Sequence, residues 1–180
     1  LWAELWAGDM AFDGRYMWQI SIGGDNGIYQ LDPDTGAVVN SIADGPWTRV
    51  SQRGLAYNSN NDTFYVGGWN DNMIHHIKGL SWDDPGAVLD SWPMPVGIAG
   101  LAYHPGADIL AVANNGNPDM IWFIDPSTHA VLAEFPHPAS TEFGYSYGGA
   151  GIAFDANGNL WTASLASGKM FLLRTGLGPF

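Results

Sequence analysis

The sequence contains no cysteine, which excludes disulfide frameworks, thiolate nucleophiles and zinc–thiolate centres together. Positive charge is nearly as scarce. Six Lys and Arg stand against eighteen Asp and Glu, a formal net charge of -12 at neutral pH. Such a chain repels the phosphate backbone that supplies most nucleic-acid affinity, and anionic membranes for the same reason. Neither nucleic acid nor membrane insertion is therefore expected. Charged residues make up 13% of the chain, against about a quarter in an ordinary domain. No apolar run approaches the roughly 20 residues that cross a bilayer, and no stretch shows a sustained helical period. The chain opens on Leu1 without a basic and then apolar leader, so it reads as a mature or excised segment of a longer precursor.

What is abundant points to a packed β structure. The 180 residues are 46% hydrophobic and include 9 Trp, 7 Tyr, 8 Phe and 24 Gly. A single domain of this length buries roughly 70% of the surface its unfolded chain exposes. A Gly-x-Ala-aromatic unit recurs at Gly54–Tyr57, Gly100–Tyr103 and Gly151–Phe154, with a degenerate copy at Gly8–Phe12. The starting glycines are 46, 46 and 51 residues apart, the period of a four-stranded propeller blade. The expected fold is an all-β propeller of four four-stranded blades. Its repeats run at about 8–53, 54–99, 100–150, and 151–180 together with 1–7.

Within each repeat the order is constant. The short first strand is followed by a polar turn (Asn58–Asp62) and a second strand (Thr63–Gly68). Third strands read Ile28–Leu31, Ile74–Ile77, Ile121–Ile124 and Met170–Leu173, rich in β-branched and aromatic residues. They are apolar on both faces, as blades covered by neighbours on both sides require. Asp32-Pro33-Asp34-Thr35-Gly36 and Asp125-Pro126-Ser127-Thr128 supply hairpin turns. Fourth strands follow at Ala37–Ile42, Ala87–Trp92 and Ala130–Phe135. Gly and Ala in the first strands suit the crowded axis, where innermost strands converge.

The last repeat ends after its third strand. Trp2-Ala3-Glu4-Leu5 resembles Leu132-Ala133-Glu134-Phe135, so an N-terminal strand is expected to close the last blade, in cis or by exchange with another molecule.

The segments GLAYNSNNDTFYVGGWNDNMIHHI and GLAYHPGADILAVANNGNPDMIWFIDPSTHAVLAEF resemble the repeat of the YVTN, NHL and gluconolactonase-like propeller group. AFDGRYMWQISIGGDNGIYQLDPDTGAV is similar to propeller repeats of large secreted bacterial proteins. The resemblance implies a propeller and an extracellular, bacterial setting. Enzymes of the group hold a divalent ion in the central channel, but their ligand set does not map onto this sequence.

Candidate chemistry is sparse. Gly144-Tyr145-Ser146-Tyr147-Gly148 matches a nucleophile-elbow pattern, but that motif needs a following helix, and none is expected here. His75, His76, His104, His129 and His137 are scattered, not convergent. The second-to-third strand connections are richer: Asp25 and Asn26; Trp69, Asn70, Asp71 and Asn72; Asn114 and Asn115 through Asp119. Superposed repeats gather these on one rim with Trp47, Tyr145 and Tyr147, giving a candidate ligand-binding face with calcium as a candidate ion at Asp25, Asp71 and Asp119. Tight turns needing φ above zero account for the same residues without function. Asn61-Asp62-Thr63 is an N-glycosylation sequon, with Asn61 in an exposed turn. The expectation is a non-catalytic extracellular module that binds protein or glycan or assembles with copies of itself. No resident cofactor is expected beyond that calcium. The alternative is a metal-dependent, lactonase-like hydrolase.

Overall fold

A computed structural model describes residues 6–144 and 148–180. They form four antiparallel sheets, each built from strands consecutive in sequence and arranged as the blades of a four-bladed β-propeller. Blade 1 holds β1 (Trp6–Phe12), β2 (Met17–Ile22), β3 (Ile28–Leu31) and β4 (Val38–Ile42); blade 2 holds β5 (Gln52–Asn58), β6 (Thr63–Gly68), β7 (Met73–Lys78) and β8 (Val88–Pro93). In blade 3 these are β9 (Ile98–His104), β10 (Ile109–Asn114), β11 (Met120–Ile124) and β12 (Val131–Pro136). Blade 4 contributes β13 (Gly149–Phe154), β14 (Leu160–Ser164) and β15 (Lys169–Leu173) among the described residues. The expected closing strand, Trp2–Leu5, lies outside them.

The repeat seen in sequence is a repeat of register. The aromatic that ends each Gly-x-Ala unit pairs with the first residue of its second strand or the apolar residue after it: Phe12 with Met17, Tyr57 with Phe64, Tyr103 with Leu110, Phe154 with Leu160. Side chains then alternate between the blade's two flanks. Leu55, Phe64, Val66 and Ile77 of blade 2 join Trp18, Ile20 and Ile28 of blade 1 in one core, while Ala56, Tyr65, Ile74 and Trp92 join Leu101, Leu110 and Val112 of blade 3 in the next. A third core unites Ala111, Ala113, Ile121 and Phe123 with Ile152 and Leu160 of blade 4. Among the described residues no buried cluster joins blade 4 to blade 1. Trp161 follows Leu160 as Trp18 follows Met17 and Tyr65 follows Phe64, yet Trp161 is 38% exposed where Trp18 and Tyr65 are each 2%.

Turn chemistry sets the strand ends. Asp32 Oδ1 accepts from the amides of Asp34 and Thr35, and Asp125 Oδ1 from those of Ser127 and Thr128. The hydroxyl and amide of Ser127 hold the Asp125 carboxyl down to about 2. The inner strands are longer than the Gly-x-Ala-aromatic units alone: seven residues each in β1, β5 and β9. The connection before β13 is not all loop. It contains a short helix, α1 (Pro138–Phe143), whose N-terminus is capped by His137 Nδ1 accepting from the Ala139 amide. Pro138 at the first helical position and a left-handed Gly144 at the end are the local start and stop signals, too short to register as a period.

Candidate functional site

The expected rim divides into turn-builders and residues that open to a cleft. Asn26 and Asn72 adopt positive φ, 54° and 55°, the turn role weighed from sequence. Asn26 also ties down the next connection, donating to the Thr48 carbonyl at 2.7 Å and accepting from Ser51 Oγ at 3.0 Å. Asp25 accepts from the Gly27 amide and the Tyr29 hydroxyl. Asp119 is fully buried and accepts from the amides of Gly116, Gly148 and Gly149 at 2.7, 3.0 and 2.9 Å. Trp47, expected on the rim, is instead interior. It is 1% exposed, packs in the core between blades 1 and 2, and donates Nε1–H to the Gly86 carbonyl. A four-residue 3-10 turn (Pro46–Arg49) folds it inward. Asn70 is exposed. Tyr145 and Tyr147 lie outside the described residues, as does Ser146.

Trp69, Asn114 and Asn115 do come together. With Val96, Gly97 and Pro118 they line a cleft of about 320 Å³ between blades 2 and 3. Gly97 lets the indole lie against the chain, since a Cβ there would stand 3.1 Å from Trp69 Cδ2. Asn114 is pinned by the Met120 amide on its Oδ1 at 2.6 Å, and Asn115 donates to the Gly149 carbonyl at 2.7 Å. The Arg53 guanidinium sits over the Trp69 ring, 5.3 Å from its centroid, in cation–π range. Arg53 was not singled out by sequence reasoning; a lone basic residue one place before Gly54 carried no motif.

Arg53 and Asn115 also line a second cavity of about 190 Å³ at the axis, with Gly8, Asp9, Gly149 and Gly151. Asp9 is the second residue sequence reasoning passed over. It stands on the axis in place of the glycines that start the other repeats. Its Oδ2 accepts from the amides of Leu55 in blade 2 and Leu101 in blade 3, at 3.3 and 2.8 Å. A Cβ on Gly151 of blade 4 would lie 3.2 Å from its Oδ1. Burial of the carboxylate raises its pKa to about 7, outweighing the backbone amides of Leu101, Leu55 and Met10 that act to lower it. Near neutral pH this carboxyl can accept or donate a proton. The signal for it in the sequence was the degeneracy of the first copy, Gly8–Phe12. Toward the other end of the inner strands an apolar cavity of about 280 Å³ is lined by Met10, Phe12, Tyr57, Tyr103 and Phe154.

Among the described residues no group of three His, Asp or Glu side chains converges as a metal centre. Of the three calcium candidates, Asp71 has the most suitable surroundings. Its Oδ2 lies 3.6 Å from His75 Nε2 and accepts from Gln52 Nε2 at 3.1 Å, while Gln52 Oε1 is buried with no hydrogen-bond partner. The histidines serve separate structural contacts. His76 meets Thr63 Oγ1 and stacks on Tyr65, His104 meets the Gly178 carbonyl, His129 meets Asp90, and His137 meets Thr162 Oγ1. Burial lowers the pKa of His76 and of His137. Asn61 is exposed in the β5–β6 turn and its Oδ1 accepts from Thr63 Oγ1 at 2.6 Å.

The fold has relatives among solved structures. The chain is similar to Kuenenia stuttgartiensis hydrazine synthase, with a TM-score of 0.60 and 14% sequence identity over 93% of this chain and 49% of that one. This chain thus spans about half the length of that structure, and the likeness is one of propeller fold. No protein-family model and no curated protein matches the sequence.

Proposed function

We propose that this chain is a secreted, non-catalytic β-propeller of the YVTN/NHL/gluconolactonase-like repeat group that binds a glycan or protein segment on the face bearing the Trp69–Asn115 cleft. Assembly with copies of itself is a further role of the same module. The observation that carries the binding reading is the convergence of one indole and two anchored amides on a single cleft of about 320 Å³, within the size range of small-ligand sites. An aromatic face beside fixed amide groups suits the alternating apolar and hydroxyl surfaces of a sugar. The secreted setting is supported by the resemblance to repeats of large secreted bacterial proteins. A glycan array followed by calorimetry tests the binding reading. An oligosaccharide is expected to bind the wild type and lose at least tenfold in affinity with Trp69→Ala. Absence of any glycan or protein ligand, or a ligand indifferent to Trp69→Ala, overturns it.

A second reading, a divalent-metal-dependent lactonase, is supported by one observation, the axial carboxylate of Asp9 with its pKa near 7, where a general base is effective. Calcium-dependent lactone turnover that disappears in Asp9→Asn would establish it in place of the first.

A further inference from the structure

Among the described residues Arg53 has no counterion. Its Nε is buried with no hydrogen-bond partner, and among the described residues its guanidinium enters no ion pair. In a chain with three acidic residues for every basic one, a half-buried arginine should find a carboxylate with ease. The acid on the same cavity, Asp9, has its oxygens engaged by the amides of Met10, Leu55 and Leu101. Arg53 is half-buried, and leaving its buried Nε–H without an acceptor costs more than an ordinary hydrogen bond returns. The side chain is nonetheless held in place. It lies over the Trp69 ring and opens to the axial mouth beside Asn115, which also lines the neighbouring cleft. A planar fork of donors, fixed by an aromatic and aimed into a cavity, matches the two oxygens of a carboxylate.

We infer that Arg53 is the specificity determinant of this face and that the ligand is an acidic glycan, a uronic-acid sugar whose carboxylate pairs with the guanidinium while its ring occupies the Trp69–Asn115 cleft. The inference rests on the glycan reading above and names the class of sugar. A uronate supplies an anionic partner for the Arg53 guanidinium and also what the cleft is built for, a ring with hydroxyls against the amides of Asn114 and Asn115. Coulomb repulsion from the protein's net charge acts on any anion at long range. Recognition therefore depends on the short-range bidentate pair, and added salt shifts affinity in opposite directions for the two effects.

The test compares methyl glucuronide with methyl glucoside, which differ only at the carboxylate, by calorimetry or ligand-observed NMR. The wild type is expected to prefer the glucuronide about tenfold or more. Arg53→Gln, which keeps the stem and an amide, should bind both sugars equally at the glucoside level. Arg53→Lys should recover part of the preference, since it restores the charge without the fork. Unchanged circular dichroism and melting temperature in both variants exclude a folding defect as the cause. Equal binding of the two sugars by the wild type, or a glucuronide preference that survives Arg53→Gln, overturns the inference while leaving glycan binding intact. Binding of neither sugar, with a peptide C-terminal carboxylate bound through Arg53 instead, overturns both.

Discussion

Replacing Asp9 by Asn removes the titration while keeping an acceptor for the amides of Leu55 and Leu101; losing the acceptor of the Met10 amide adds a cost that does not vary with pH. The folded-state pKa is raised from 3.8 to about 7, so the folded protein binds more protons than the unfolded chain between those values. Stability is therefore highest below about pH 4, falls as pH rises through the window, and is flat above pH 7. Each pH unit inside the window changes the folding equilibrium by up to tenfold, which over the whole shift amounts to about 4 kcal/mol. Asp9 keeps some contact with solvent, and screening brings the expected figure nearer 2 to 3 kcal/mol. His76 and His137 oppose the trend. Their folded pKa values are lowered, so they withdraw stability as pH falls below the ordinary histidine value. The informative quantity is thus the difference between wild type and variant. Urea unfolding followed by tryptophan fluorescence at half-unit steps from pH 4.5 to 8 should show Asp9→Asn gaining steadily on the wild type up to about pH 7 and then holding a constant lead. Parallel curves for the two proteins would refute the reasoning, since they would mean that the carboxyl titrates alike folded and unfolded.

Three further outcomes follow from packing and backbone. Phe64→Ala empties a fully buried site between blades 1 and 2, where the ring lies 4.7 Å from that of Trp18; a loss of about 3 to 5 kcal/mol is expected in chemical denaturation. Asp119→Ala leaves the amides of Gly116, Gly148 and Gly149 without their acceptor and should cost about 3 kcal/mol or more, read from the urea midpoint. Gly158→Ala introduces a Cβ at φ of 78° that meets the Gly178 carbonyl and stands 2.8 Å from His104 Nε2. A loss of about 2 kcal/mol or more is expected, together with a shift of the His104 ring signals in NMR as its bond to Gly178 breaks.

The architecture was legible because each blade is specified locally. Gly54–Tyr57 and Gly100–Tyr103 mark inner strands, the Asp32 and Asp125 turns mark hairpins, and apolar residues on both flanks mark sheets that must be covered. The site was only partly legible. Trp69, Asn114 and Asn115 sit on connections whose place on one face follows from the repeat. Trp47 lies on the connection between blades 1 and 2 and is drawn inward, because a 3-10 turn and the Gly86 carbonyl reposition it. Arg53 and Asp9 escaped notice because their significance lies in departure from neighbours. One is a cation with no acid paired to it among the described residues, and the other a carboxylate where its three counterparts are glycine. The first arises only when blades distant in sequence meet at the axis; the second shows in the sequence only as the degeneracy of Gly8–Phe12.

Among the described residues three cores serve four blades, which makes that part of the molecule, in its energetics, a row and not a hoop. By these three cores the two middle units are gripped from either side and each end unit from one. Excursions toward the unfolded state should therefore begin at the ends and travel inward, and the slowest-exchanging amides should belong to β6 and β10. Damage confined to an outer unit would be absorbed there, while the same damage at the Tyr65–Tyr103 contact, 5.7 Å between ring centroids, would separate the row into halves.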